Sequence, residues 1–213
     1  MRRDPTPTPT PTITPTPTDT AGSVLYFDDF SDDDSDWPDE AESDNGRCYS
    51  EYRDDKYRIE VEGDGRQREC FRPAPEEAEY RYGIFEVEAK RRAGSGSFSY
   101  GLYINGRGGG EYYLFRVRPR NDCGWDLIRR EDDDSDTVRN GGCDSAIERD
   151  SGTNKLEIKH TDDGRISVYV NDKLLATFTD DSELEGRGTG LYVRSGTDEN
   201  NTIDFDNFTI FSP

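Results

Sequence analysis

Alternation of apolar and polar residues with a period of two is the feature that most limits what this chain can fold into. In RISVYV (165–170) every second residue is Ile or Val, and Asn171-Asp172 follows directly as a two-residue hairpin turn. The same alternation recurs in IFEVEAK (84–90) and YYLFRV (112–117). A period of two is that of a β-strand with one buried face, so the chain predicts an all-β fold.

Short alternating runs of this kind continue from residue 24 to the end of the chain, separated by Gly, Asn and Asp. No amphipathic helix of useful length is present. Many short strands at this spacing indicate a sandwich or jelly roll of two antiparallel sheets. The predicted strands are 24–28, 47–53, 56–62, 66–72, 81–91, 96–104, 111–119, 124–130, 154–160, 165–171, 173–179, 187–194 and 202–211.

Four cysteines can form disulfides that stabilise a core poor in hydrophobic residues. Hydrophobic residues make up only 30% of the chain. We expect disulfides between Cys48 and Cys70 and between Cys123 and Cys143, each closing a loop of about 20 residues and contributing roughly 3 kcal/mol. The alternative is four reduced core cysteines. Disulfides would imply an oxidising compartment. The chain has no CxxC pair and a single histidine, His160, which disfavours a zinc site and Cys/His catalysis.

The excess of acidic over basic residues limits the kinds of partner that the chain can bind. With 47 acidic against 27 basic residues the formal net charge is -20, which disfavours binding to nucleic acid or anionic membranes. No apolar run is long enough for a transmembrane segment. Residues 1–4 lead straight into a Thr/Pro tract without a visible signal peptide, so an exported protein would lack its precursor start here. We expect an extracellular or cell-surface location.

Residues 1–22 form a predicted Thr/Pro-rich arm. Its PTPTPTPTITPTPT tract (5–18) favours an extended, semi-rigid stalk. Thr beside Pro is typical of O-glycosylated stalks, and the expected acceptors are Thr6, Thr8, Thr10, Thr12, Thr14, Thr16 and Thr18. In the alternative, the arm is a strand that pairs along its Thr edge only, because proline has no N–H donor, and Ile13 is an apolar peg that contacts a neighbouring copy.

A family resemblance rests on an ordered set of motifs: FDDFSDDDSDW (27–37), YGIFEVEAK (82–90), EYYLFRV (111–117), the hairpin VYVNDKLLATF (168–178) and IDFDNFTIF (203–211). Together they resemble the bacterial concanavalin A-like/LamG-type domains, near the group of 3-keto-disaccharide hydrolases. The resemblance implies a concanavalin A-like jelly roll over residues 23–213, with its first and last strands adjacent. It also implies a bacterial surface protein, because TPTP linkers often precede such domains.

An acid pair for catalysis is the first candidate site. Retaining glucanases of this broad fold carry ExDxxE on one strand, with two carboxylates about 5 Å apart. The nearest match here is Glu86-x-Glu88, which lacks the third acid. A solvated outer face explains this pair better, so no catalytic residue is assigned.

Aromatic side chains give a second candidate site, because sugar rings stack on aromatic rings. The predicted positions for carbohydrate binding are Tyr82, Tyr100, Tyr103, Tyr112 and Trp125. The alternative for each is an ordinary buried or cross-strand aromatic residue.

An acidic segment, residues 28–44, raises the possibility of calcium. No cofactor is required by any motif, but a structural Ca²⁺ between Asp29 and Asp206 fits the oxygen-rich segments near the two termini. A solvated acidic loop is the alternative. The second acidic run, 131–136, predicts a hairpin tip.

Sequons occur at Asn200 and Asn207, of which Asn200, in a predicted turn, is the expected glycosylation acceptor. His160 is predicted to lie at a strand end without a partner for a mechanism.

Three functions remain open on these observations. The first hypothesis is a non-enzymatic subunit of a glycosylated surface fibre, a homo-oligomer or filament built through the arm. The second is a carbohydrate-binding module on a flexible stalk. The third is a glycoside-processing enzyme.

Overall fold

The chain folds into two stacked β-sheets. The computed structural model describes residues 22–39, 41–43, 47–94, 96–107, 110–120, 123–131 and 134–213. Within these residues lie one turn of 3-10 helix (Glu76–Ala78) and the strands β1 (Val24–Asp28), β2 (Ala41–Ser43), β3 (Cys48–Tyr52), β4 (Tyr57–Glu62), β5 (Arg68–Pro73), β6 (Gly83–Gly94), β7 (Phe98–Arg107), β8 (Glu111–Arg118), β9 (Gly124–Glu131), β10 (Asp134–Gly141), β11 (Thr153–His160), β12 (Arg165–Val170), β13 (Lys173–Thr179), β14 (Gly188–Ser195) and β15 (Asn200–Phe211).

The strands are distributed over a nine-stranded and a six-stranded antiparallel sheet. The larger sheet has the order β13-β12-β11-β6-β15-β4-β3-β2, with β1 paired to the end of β15. The smaller sheet has the order β10-β9-β8-β7-β14-β5. Strands far apart in the chain lie side by side, as β6 does with β15 and β7 with β14. The predicted fold class, a concanavalin A-like jelly-roll sandwich of two antiparallel sheets, is confirmed.

Alternation along each strand builds the core between the sheets. On β6 the side chains of Phe85, Val87 and Ala89 are at most 1% exposed, whereas Glu86 and Glu88 point the other way and are partly exposed. Burying one full apolar side chain contributes about 1.5–3 kcal/mol. The two inward faces together therefore supply most of the stability.

The beginning and end of the domain lie side by side, as the family resemblance implies. Residue Phe27 of β1 pairs with Thr209 of β15, and Asp28 pairs with Phe208. On its other side β15 pairs with β6 over most of its length. The last strand therefore lies between β6 on one side and β4 and β1 on the other.

Both predicted disulfides are present. Cys48 on β3 is bonded to Cys70 on β5, so this bond ties the nine-stranded sheet to the six-stranded sheet. Cys123 and Cys143 flank the β9–β10 hairpin and are bonded to each other. The first disulfide links the layers, and the second closes one hairpin.

Two strands were missed by the sequence prediction, β2 and β10. The hairpin tip predicted at 131–136 is too long, because Glu131 ends β9 and pairs with Asp134, the first residue of β10, which continues to Gly141. Residues 1–21, which carry the predicted stalk, its threonine acceptors and Ile13, lie outside the described residues.

Among the described residues, no helix is long and apolar enough to cross a membrane.

Candidate functional site

The six-stranded sheet carries a second apolar cluster on the side that faces away from the core. On β8, Tyr113, Phe115 and Val117 are fully buried in the core. Because neighbouring residues of a strand point to opposite faces, Tyr112 and Leu114 point outward. We call the outward cluster the aromatic face, and it comprises Phe71, Tyr103, Tyr112, Leu114, Ile128 and Tyr192.

Strand register aligns the aromatic face in rows. One row crosses the sheet as Pro73, Gly190, Tyr103, Leu114 and Ile128. The next row runs Phe71, Tyr192, Gly101, Arg116 and Asp126. A third row begins with Glu69, Arg194 and Ser99. The face thus passes from apolar rings to polar and charged groups within two steps along the strands.

The rings of the aromatic face contact one another edge to face or tilted. The ring centroid of Phe71 lies 5.2 Å from that of Tyr112, 5.7 Å from that of Tyr103 and 4.9 Å from that of Tyr192. Tyr192 is fully buried and Tyr103 is 9% exposed, whereas Phe71 and Tyr112 are partly exposed. These two rings therefore offer most of the solvent-facing aromatic surface, held rigidly by the two buried tyrosines beneath.

A shallow pocket of about 310 Å³ opens beside these rings. Its lining includes Phe71, Tyr103, Tyr112, Arg107, Glu111 and Gly188. An apolar wall with a few polar groups at its edge is the usual composition of a small-ligand site.

A hydrogen-bond network borders the rings. The Tyr192 hydroxyl donates to Glu69 Oε1 at 2.9 Å and accepts from Arg116 Nη1 at 3.0 Å. Arg116 Nε in turn donates to Asp126 Oδ2 at 3.0 Å. Burial raises the pKa of the Tyr192 hydroxyl well above its ordinary value, so the phenol stays neutral and keeps its proton to donate. Tyr192 and Asp126 are buried, so Arg116 and Glu69, with side chains 14% and 44% exposed, are the members of this network that a sugar hydroxyl can reach.

Two carboxylates that border this face, Asp126 and Glu69, are already engaged by arginines. Asp126 accepts from both Arg116 and Arg118. Glu69 lies 4.0 Å from Arg116 and 3.9 Å from Arg194. Carboxylates paired in this way suit binding and positioning better than general acid–base chemistry, which needs one of two acids to hold a proton.

An acid pair does occur on the outward face of the nine-stranded sheet. Glu86 on β6 lies opposite Glu157 on β11 in the strand register. Burial, with the Glu86 charge beside it, raises the pKa of Glu157 to about 7. Sequence analysis selected Glu86 with Glu88 along one strand and missed Glu157, because only the register between strands brings it opposite Glu86.

Only two of the five aromatic residues predicted to bind carbohydrate lie on the aromatic face. Tyr103 and Tyr112 lie on the aromatic face. Tyr100 and Trp125 are buried in the core instead, at 0% and 6% exposure, so neither offers a free ring face. Tyr82 lies elsewhere, with its ring centroid 5.0 Å from that of His160.

Two residues of the aromatic face, Phe71 and Tyr192, were not selected from the sequence. Each alternates with core residues, since Cys70 lies beside Phe71 and Leu191 and Val193 flank Tyr192. That alternation was the signal in the sequence that Phe71 and Tyr192 point away from the core.

The two predicted calcium ligands, Asp29 and Asp206, have other partners in the structure. Asp29 Oδ1 accepts from the backbone N–H of Ser31 at 3.1 Å, and Asp206 lies 2.6 Å from the Lys56 ammonium. Within the described ranges, no group of three or more His, Cys, Asp or Glu side chains is placed to hold a metal ion. A lysine ammonium therefore occupies the position beside Asp206 where a cation would be expected.

The remaining sequence-selected residues lie away from the aromatic face. His160 ends β11 and is fully buried, with Nδ1 3.0 Å from Asn105 Oδ1. Asn200 is the exposed first residue of β15, and Asn207 lies in β15 at a register shift. Glycosylation at Asn200 stays a prediction.

No protein-family model and no curated protein matches the chain. Solved structures do match its fold. One is the GlcNAcα1-4Gal-releasing endo-β-galactosidase from Clostridium perfringens, with a TM-score of 0.62 and 12% identity over 96% of this chain. The alignment spans only 65% of that enzyme's length.

Two further matches cover nearly the whole of the other protein. The carbohydrate-binding module CBM66 from Bacillus subtilis has a TM-score of 0.52 and 13% identity, over 89% of this chain and 97% of that one. The laminarinase catalytic domain from Thermotoga maritima has a TM-score of 0.65 and 11% identity, over 91% and 99%. At such identities the similarity concerns the fold alone. The resemblance to 3-keto-disaccharide hydrolases still rests on sequence motifs.

Proposed function

We propose that this chain is a carbohydrate-binding module that holds a saccharide on the aromatic face. One observation carries the proposal: a cluster of four aromatic rings lies outside the core, on the outward side of the six-stranded sheet, beside a shallow pocket. The C–H faces of a sugar ring stack on such rings, while the partly exposed Arg116 and Glu69 beside them can hydrogen-bond its hydroxyl groups. The fold matches support a carbohydrate ligand, because they include a named carbohydrate-binding module.

Binding is favoured over the two other hypotheses. Asp126 and Glu69, which border the aromatic face, are paired with arginines, which does not favour a glycoside-processing enzyme built on these two acids. The fibre hypothesis depended on contacts of the arm, and the fold matches give it no support. We therefore propose residues 1–22 as a stalk and 23–213 as the binding module. Two disulfides require an oxidising compartment, which supports a location outside the cell.

Replacing the exposed rings tests the proposal. Affinity electrophoresis against neutral and acidic polysaccharides identifies a ligand, and Tyr112→Ala and Phe71→Ala should each weaken its binding about tenfold, or about 1.4 kcal/mol. The matched control is Phe27→Ala, which removes a ring that is 54% exposed on β1 of the other sheet, and it should bind normally. Absence of binding to every polysaccharide, or equal loss in the control, would contradict the proposal.

A further inference from the structure

The charged residues around the aromatic face have a net charge opposite to that of the whole chain. A formal net charge of -20 makes an average surface patch acidic. On the outward side of β5, β14, β7, β8 and β9, however, the charged positions are Arg116, Arg118, Arg130 and Arg194 against Glu69 and Asp126. Four cations against two anions give this face a local positive excess.

The excess is concentrated in a pocket of about 420 Å³ further along the same strands. We call it the basic pocket, and its lining includes Gln67, Ser99, Arg118, Arg120, Arg194 and Ser195. No Asp or Glu is among the described residues that line it. Among those described residues, three guanidinium groups and three serine hydroxyl groups line the pocket.

Two arginines of the basic pocket, Arg120 and Arg194, have N–H donors beyond their internal contacts. Arg120 Nη1 donates to the carbonyl oxygen of Gly96 at 3.1 Å. Arg194 Nη2 donates to Gln67 Oε1, and its Nε lies 3.9 Å from Glu69. Because each guanidinium carries five N–H donors, these contacts leave capacity for an incoming anion. Planar guanidinium groups bind carboxylate and sulfate oxygens with paired, charge-assisted hydrogen bonds.

Two acids at the border of the pocket, Glu199 and Asp126, are engaged by residues that line it or lie beside it. Glu199 accepts from the backbone N–H of Ser97 at 2.6 Å. Asp126 accepts from Arg116 and Arg118. These carboxylates fix the loop and the arginines around the pocket.

The basic pocket and the aromatic face form one continuous surface. Ser99 lies four residues before Tyr103 on β7, which is roughly 13 Å at about 3.3 Å per residue. Arg194 follows Tyr192 by two residues on β14. One oligosaccharide can therefore contact the rings and the arginines together.

We propose that the saccharide bound by this module is anionic, with a carboxylate or sulfate ester held by Arg120 and Arg194 while a neighbouring sugar stacks on Phe71 and Tyr112. This inference rests on the proposed function and names the ligand class. The remaining negative charge of the domain is screened at physiological salt, where the Debye length is about 8 Å. The pocket recognises an isolated anion, whereas nucleic acid with a charge every ~1.7 Å would extend onto the acidic surroundings.

Matched probes test this. Isothermal titration calorimetry compares oligogalacturonides with their fully methyl-esterified forms, and dextran sulfate with dextran. The first comparison tests recognition of a carboxylate, and the second tests recognition of a sulfate ester. We expect at least one acidic probe to bind tenfold or more tightly than its neutral counterpart. Arg120→Gln and Arg194→Gln should each remove about tenfold of the affinity for that probe. Arg92→Gln is the control, because Arg92 lies on β6 and its side chain is 56% exposed.

The outcomes separate this inference from the proposed function. Equal binding of acidic and neutral probes, with loss on Tyr112→Ala but none on Arg194→Gln, overturns the anionic ligand and leaves the carbohydrate-binding module in place. Absence of binding to every probe and every polysaccharide overturns both. Thermal unfolding of each variant, compared with the unaltered protein, identifies any loss that comes from misfolding.

Discussion

Tyr103 occupies its position on the aromatic face because two glycines leave room for its ring. A Cβ atom on Gly190 would lie 2.8 Å from the Tyr103 ring, and one on Gly106 would lie 3.0 Å from it. Both distances are shorter than ordinary van der Waals contact, so any larger residue would displace the ring. The glycines on β14 and β7 thus fix the tyrosine that supports Phe71 and Tyr112.

Replacing Glu157 should change how stability depends on pH. Burial and the charge of Glu86 raise the pKa of Glu157 from 4.5 to about 7. A carboxyl whose pKa is raised on folding stabilises the protein below its unfolded pKa, and this contribution is lost as the pH rises through 7. Glu157→Gln should therefore increase the free energy of unfolding at pH 8.5 by on the order of 1 kcal/mol, after allowance for solvent screening, with little gain at pH 4.

The control for that prediction is Glu88→Gln, on the same face of β6, where the register neighbours are Lys155 and Asp206. Urea denaturation at both pH values measures the effect. A Glu157→Gln variant whose gain is the same at pH 4 and pH 8.5 would contradict the assignment.

Alternation along a strand predicts which residues share a face of the sheet. It does not predict which of the two faces is buried against the other sheet. Tyr100 and Tyr103 are three residues apart on β7, so they must point to opposite sides. Nothing in the local sequence says that Tyr100 is the one buried, because that depends on the position of the nine-stranded sheet. The register that brings Glu157 opposite Glu86 is likewise a property of strand pairing.

At the level of whole elements, β10 shows why some strands escape prediction. Its sequence DSDTVRNG contains one apolar residue, Val138, which packs against the core while most neighbours are exposed. The strand exists because β9 pairs with it and the Cys123–Cys143 disulfide closes the hairpin. By contrast β6, β8 and β12, whose apolar residues alternate, were predicted at nearly their observed bounds.

The two disulfides should contribute differently to stability. Cys48→Ser with Cys70→Ser removes the link between the sheets across a separation of 22 residues, and we expect the free energy of unfolding to fall by about 3 kcal/mol. Cys123→Ser with Cys143→Ser frees only an edge hairpin, so we expect faster amide exchange in β10 with a smaller global loss. Chemical denaturation and hydrogen exchange distinguish the two. Equal global losses for both pairs would contradict this division.

For the whole molecule, the two layers separate attachment from binding. The proposed stalk joins the domain before β1, which belongs to the nine-stranded sheet. The aromatic face and the basic pocket lie on the outward side of the six-stranded sheet. In the proposed module, this arrangement would leave the binding face clear of the point of attachment.

The most direct test of carbohydrate binding on the aromatic face is a residue-resolved map of the contact. We would titrate the isotopically labelled protein with the tightest-binding oligosaccharide and follow the amide signals by nuclear magnetic resonance. The account predicts the largest shifts around Phe71, Tyr103 and Tyr112, and small shifts around Phe27 and Glu157 on the other sheet. Shifts centred on the nine-stranded sheet, with β5, β7 and β8 unperturbed, would contradict it.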